Sequence, residues 1–150
     1  MITDAFNTFS NAQTIAATGT TASTNTIDLS APRDIGAGRA VKIYFDVTTS
    51  FSQSVAGGSV VLEVVADTSP LFNATPTVLN STTVAVTALV ASAPIFVGNL
   101  NFEPYAGERY LQAQYIVQNT TLTAGAISSG LVVDAQADEY YPSGINVVGV

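Results

Sequence analysis

Three carboxylates near the end of the chain, Asp134, Asp138 and Glu139, form its densest group of potential metal ligands. Hard oxygens in a flexible segment suit calcium. Their spacing departs from a calcium-loop pattern, and no Asn or Asp fills the intervening ligand positions, so no bound metal is expected there. A solvated strand end, or an intersubunit partner for Arg33, Arg39 or Arg109, is the better account. Paired carboxylates could flank a sugar in a glycosidase, and Asp28, Asp46, Glu63, Glu103 and Glu108 are available for it. Most of these sit on the polar phase of a strand or in a turn, where a carboxylate is ordinarily solvated. Nucleophilic catalysis has fewer parts still. The 150 residues contain neither cysteine nor histidine, which removes the thiolate, the commonest general base and the commonest transition-metal ligand. No Gly-x-Ser-x-Gly elbow occurs, and a lysine-based variant would have to use Lys42, itself on a strand face. The stretch from Asp34 to Gly38 is rich in glycine but lacks the helix and lysine of a phosphate-binding loop, so it reads as a tight turn. Three Asn-x-Ser/Thr triplets, at Asn73, Asn80 and Asn119, are expected by chance in a chain so rich in threonine. The expectation is a protein that is no enzyme and takes no cofactor, metal or small-molecule substrate.

Charge narrows the partners. Eleven acidic residues face four basic ones, Arg33, Arg39, Lys42 and Arg109, for a net charge of −7. A phosphate backbone or an anionic membrane calls for clustered Lys and Arg. Three of the bases fall between positions 33 and 42, but Asp34 and Asp46 accompany them, so neither nucleic acid nor membrane is an expected partner. Ser, Thr, Asn and Gln supply the polar surface instead. Asp4 stands where a secretory leader would carry a basic region, and no leader is expected.

The elements are legible from period-two patterning. Val41, Ile43, Phe45 and Val47 alternate with Lys42, Tyr44, Asp46 and Thr48. Val60, Leu62, Val64 and Ala66 oppose Glu63 and Asp67. Leu111, Ala113, Tyr115 and Val117 oppose Gln112, Gln114 and Gln118, and Ile127, Leu131 and Val133 share a face. Weaker strands are expected at 13–17, 24–29, 76–81, 83–89 and 94–98, with turns at 31–34, 56–58, 69–70, 104–107 and 123–125. β-branched residues dominate and no gap holds a periodic helix. Eight or nine short strands at this spacing make an all-β sandwich or barrel.

Both ends carry surplus apolar material. Residues 1–12 read as an N-terminal extension in which Phe6 and Phe9 seat the segment against a sheet, 13–137 as the sandwich, and 138–150 as a C-terminal arm. In that arm Tyr140, Tyr141, Ile145, Val147, Val148 and Val150 are costly to leave in water, at about 1.5–3 kcal/mol for each fully buried aliphatic side chain. The arm is expected to cross to another subunit. Arg109, at the head of a strong strand beside Glu108, could pair with an acid across a sheet or an interface, and Glu103 and Glu108, beside Pro104-Tyr105, could belong to the same polar rim.

Four stretches resemble one family: Asp4 with Phe9-Ser10-Asn11-Ala12-Gln13; 23–29 followed by Arg33-Asp34-Ile35-Gly36; Arg109-Tyr110-Leu111 with Gln114-Tyr115; and Thr123-Ala124-Gly125 with Val132-Val133-Asp134-Ala135-Gln136. In their order and spacing they resemble the capsid cement, or decoration, proteins of tailed phages, in particular the Bordetella-phage type. The resemblance implies a jelly-roll-like β-sandwich; the N- and C-terminal extensions are read from the residues themselves, and the segment 66–89 and the C-terminal arm depart from the family pattern. The resemblance also implies a homotrimer on the outer surface of the virion head that bridges subunits of the phage major capsid protein. The rival from a different class is a receptor- or glycan-binding module using Tyr44, Tyr105 or Tyr110, although the absence of tryptophan weakens it. A tail-tube component is a more distant alternative.

Overall fold

The β-branched, alternating runs become eight strands in the computed structural model, which describes residues 7–16, 18–30, 41–73, 75–91, 94–100 and 108–133. They are β1 (Thr8–Thr14), β2 (Gly19–Asp28), β3 (Val41–Gln53), β4 (Ser59–Asp67), β5 (Thr77–Ala85), β6 (Pro94–Asn99), β7 (Tyr110–Gln118) and β8 (Leu122–Val133). Two antiparallel sheets pack face to face, with strand orders β1-β8-β3-β6 and β2-β7-β4-β5. The pairing is nested: first with last, second with seventh, third with sixth, fourth with fifth. A long antiparallel ribbon rolled so that successive pairs alternate between layers gives this order, which is the jelly roll.

The alternation read from sequence sets what lies between the sheets. Ile43, Phe45, Val47 and Ile127 from the first sheet meet Val60, Leu62, Val64, Ala66, Leu111, Ala113, Tyr115 and Val117 from the second, all of them buried. Phe45 and Tyr115 meet edge to face across the gap, with ring centroids 6.2 Å apart, the geometry favoured by aromatic quadrupoles.

Three expectations need correction. The first sheet begins at Thr8, ahead of the boundary at residue 13, and Phe9 is fully buried in the core, so it is no exposed contact residue. Residues 123–125 lie inside β8; the polar turn before it is 119–121. The two strands expected at 76–81 and 83–89 are one strand, β5, followed by a single 3-10 turn, Val86–Ala88. The first two have a local cause. β1 carries two register irregularities within seven residues, with Ala12 at φ 48°, and a bulge breaks the period-two signal. Gly125 is a strand glycine chosen for close approach: a Cβ there would sit 2.5 Å from the Phe51 ring.

Candidate interface

The two ends of the sandwich differ in charge. At one end, Asp28, Tyr110 and Asp67 lie in one row across β2, β7 and β4. Arg109 precedes that row. Its backbone is clamped on both sides, with its N–H donating to Asp67 O and its carbonyl accepting from Leu29 N, each at 3.0 Å. Thus held, the guanidinium donates twice to the Asp28 carboxylate, Nε to Oδ1 and Nη2 to Oδ2, both at 2.6 Å. It also lies over the Tyr110 ring, 5.1 Å from the centroid. The guanidinium, together with the Ser30 N–H, holds the Asp28 carboxyl below its usual range. The pair is about two-fifths exposed. Arg109 therefore finds its acid across the sheet, within the chain. Asp67 is buried; its Oδ1 accepts from Ser69 N and Thr68 Oγ1, while its Oδ2 has no hydrogen-bond partner among the described residues.

At the opposite end the β1–β2, β3–β4, β5–β6 and β7–β8 connections come together. Their described residues, 15–16, 18, 54–58, 86–91 and 119–121, include no Asp, Glu, Lys or Arg. Hydrogen bonds knit the tips. Ser54 N donates to Thr121 O, Phe51 N to Leu89 O, Val86 N to Gly58 O, and Ala91 N to Ser50 Oγ. Thr120 Oγ1 donates to Val55 O, and Gln53 Oε1 receives the Gly58 N–H.

The outer face of the second sheet carries the Asp28–Tyr110–Asp67 row at its charged end, and the three rows beyond that one are nearly neutral, with Val65 among them buried. These three run Thr20–Ile116–Val61–Thr83, Ala22–Gln114–Glu63–Ser81 and Thr26–Gln112–Val65–Val78. Glu63 is the one charge among these twelve positions, and partial burial pushes its carboxyl upward. On the first sheet, Tyr44 is 5% exposed and lies across Gly130 on the side away from the core. A Cβ at Gly130 would meet that ring and the backbone of Asn7.

Of the contact residues expected from sequence, Phe9 belongs to the core and Arg109 to the charged end. Phe6, Arg33, Arg39, Glu103, Tyr105, Tyr140, Tyr141, Ile145, Val147, Val148 and Val150 lie outside the described residues, as do Asp134, Asp138 and Glu139. Sequence reasoning missed the uncharged end. The signal was present in the charge-free runs 5–27, 47–62, 68–102 and 110–133, but only the topology shows that they meet.

The family model named Bbp16 matches residues 9–131, from within β1 to within β8 and so across nearly the whole sandwich. The chain belongs to the Bbp16 family. That name points to a protein of Bordetella phage, and the chain is accordingly phage-related. No curated protein matches it. The stretch shared with Bbp16 includes the Arg109–Asp28 pair, the Tyr115 core and all four uncharged connections. It stops short of the apolar tail after Ala137.

Proposed function

We propose that the protein is a capsid cement: a virion component that binds the outer surface of the head and clamps neighbouring major-capsid subunits, assembling as a homotrimer. The observation that carries this reading is the coincidence of Bbp16 membership with a jelly roll whose second sheet, beyond its Asp28–Asp67 row, presents three outward rows with one charge in twelve positions. A cement binds many identical sites through fitted surface, and a neutral Thr/Gln/Val face can do so without stripping water from charges. Repetition around a symmetry axis turns weak contacts into a strong clamp. In this reading the role is mechanical, with no catalysis, cofactor or small-molecule substrate, and the tail from Asp138 onward grips a neighbour.

The tyrosines bear on the rival reading. Tyr44 is almost wholly buried, and the Tyr110 ring lies beneath the Arg109 guanidinium. Neither offers the open ring on which a sugar stacks.

The test is to mix the purified protein with expanded heads that lack it and to image the shells. Ordered density bridging shell subunits is the expected result. Failure to bind over a range of salt and pH, or binding to a glycan with no affinity for heads, overturns the proposal. Deleting the chain from Asp138 onward should weaken attachment while leaving the sandwich's unfolding transition in place.

A further inference from the structure

A protein of net charge −7 that associates with itself meets an electrostatic problem. Two like charges 4 Å apart repel by about 1 kcal/mol even in bulk water. Contacts that enclose carboxylates add the cost of desolvating them. The described charges are not spread evenly. Asp28, Asp67, Glu108 and Arg109 lie at one end, Lys42 one residue inside that end of β3, and Asp46 and Glu63 part-way along strands. Among the described residues, the other end, where the four connections meet, has none.

That uncharged end also exposes apolar side chains. Val55, between β3 and β4, is 60% exposed, and Val90, between β5 and β6, is 56% exposed. They stand on tips that are already fixed. Val55 exchanges hydrogen bonds with Thr120 through both its N–H and its carbonyl, and Val90 N donates to Ala88 O. Its neighbours Leu89 and Ala91 are bonded to β3. The ordering entropy that mobile loops lose on contact is therefore small here. Around the valines stand exposed hydroxyls, among them Thr18, Ser54, Thr87 and Thr121, which can hydrogen-bond across a contact without bringing charge into it. The occupant whose charge is known from the sequence is another copy of the chain. Among the described surfaces, this end is where two such copies can touch without bringing carboxylates together.

We propose that copies of this chain associate through the uncharged end, with Val55 and Val90 of each copy buried in the contact. This deepens the self-association in the cementing proposal and rests on that part of it alone. Because the contact holds no ion pair, salt strengthens it by screening the general repulsion between copies.

The experiment uses the full chain without heads. Sedimentation equilibrium should show self-association that tightens as salt is raised from low to moderate strength. Replacing both valines with aspartate (V55D and V90D together) should weaken association by about tenfold or more, with the unfolding transition retained because both side chains are exposed. The absence of cysteine makes single-cysteine reporters clean. V90C should form interchain disulfides under mild oxidation, whereas L71C, on an exposed position in the β4–β5 connection at the charged end, should not. A monomer at every concentration overturns the proposal. So does association weakened by salt, unaffected by the aspartates, or trapped by L71C and not by V90C. Head binding is read separately: heads decorated by a V55D/V90D variant that no longer self-associates would leave the cementing role standing, and associating protein that ignores heads would do the reverse.

Discussion

The Tyr115 hydroxyl lies 2.6 Å from the Ser129 hydroxyl and 2.8 Å from that of Ser10, so one phenol from β7 is bonded to two strands of the opposing sheet. The proton directions follow from the neighbours. Ser10 donates to Gln13 Oε1 at 2.6 Å, so it accepts from Tyr115, and Tyr115 in turn accepts from Ser129. Gln13 completes the thread, donating to Ala22 O and accepting from Thr24 N on β2. A polar line thus runs from β8 through the core to the seam between β1 and β2. It fixes how the two sheets sit on each other, which uniform apolar packing does not.

Replacing Tyr115 with phenylalanine should therefore cost more than the loss of an isolated hydroxyl. It leaves Ser129 without its acceptor and Ser10 without its donor, both fully buried. The expected loss is about 1–3 kcal/mol, measured by urea unfolding, and S129A added to Y115F should restore part of it. There is also a pH signature. Burial pushes the Tyr115 pKa from 10.0 up to about 12. Its contribution is fully present below pH 10 and is lost as pH rises toward 12, because the unfolded chain ionises first. Wild type should lose stability across that window more steeply than Y115F.

Gly125 offers a test of the close approach within β8. Its φ is +148°, and an added methyl would sit 2.5–2.7 Å from the Phe51 ring. Alanine at this position combines backbone strain with overpacking, for an expected cost of roughly 2–4 kcal/mol. The penalty of G125A should shrink in a Phe51→Leu background, where the smaller side chain can give way. Equal penalties in the two backgrounds would show that the ring is not the obstacle.

Much of the core was readable and much of the surface was not, for physical reasons. Val60 to Val64 and Leu111 to Val117 alternate without interruption because their strands are central and regularly paired with each other, whereas beyond Val64 the β4–β5 register shifts and Val65 is buried as well. β2 was read as starting at Thr24, five residues late, because a register shift separates Ala22 from Thr26. Within it the Ser23 hydroxyl replaces a lost ladder partner, accepting the Ala113 N–H and donating to Asn25 O. A serine that repairs a bulge looks, in sequence, like any polar residue. Phe9 was read as a seating residue, and it does fill a sheet's inner face, but as part of a strand. Arg109 was read as a pairing residue, and only the register, which sets Asp28 opposite Tyr110, could name its acid. The uncharged end needed the topology as well, since four separate segments compose it.

The Asp28–Arg109 pair should behave as an exposed ion pair held in good geometry. D28N and R109M should each lower stability slightly, and added salt should shrink the difference from wild type. Asp28 titrates lower in the folded protein than its ordinary 3.8. Its contribution is therefore present above that value and fades as pH falls below it. The D28N variant should lack this acid-side loss, and thermal melts of both proteins through the acidic range will compare them.

Glu63 should show the opposite sign. It is the single charge in the middle of the second sheet's outer face, between Gln114 and Ser81, and partial burial raises its carboxyl above the ordinary 4.5. The folded chain holds that proton more tightly than the unfolded one does, so ionising Glu63 works against folding once pH rises through this region. Glutamine keeps the shape and removes the charge. E63Q should accordingly be at least as stable as wild type at neutral pH, with its advantage vanishing on acidification. The same change bears on attachment. If the second sheet's outer face is the surface pressed onto the head, desolvating Glu63 opposes contact, and E63Q should bind heads more tightly at neutral pH while differing little from wild type near pH 4. If a cationic group on the shell meets Glu63, E63Q should bind more weakly instead. Unchanged binding at every pH would move the contact to another face.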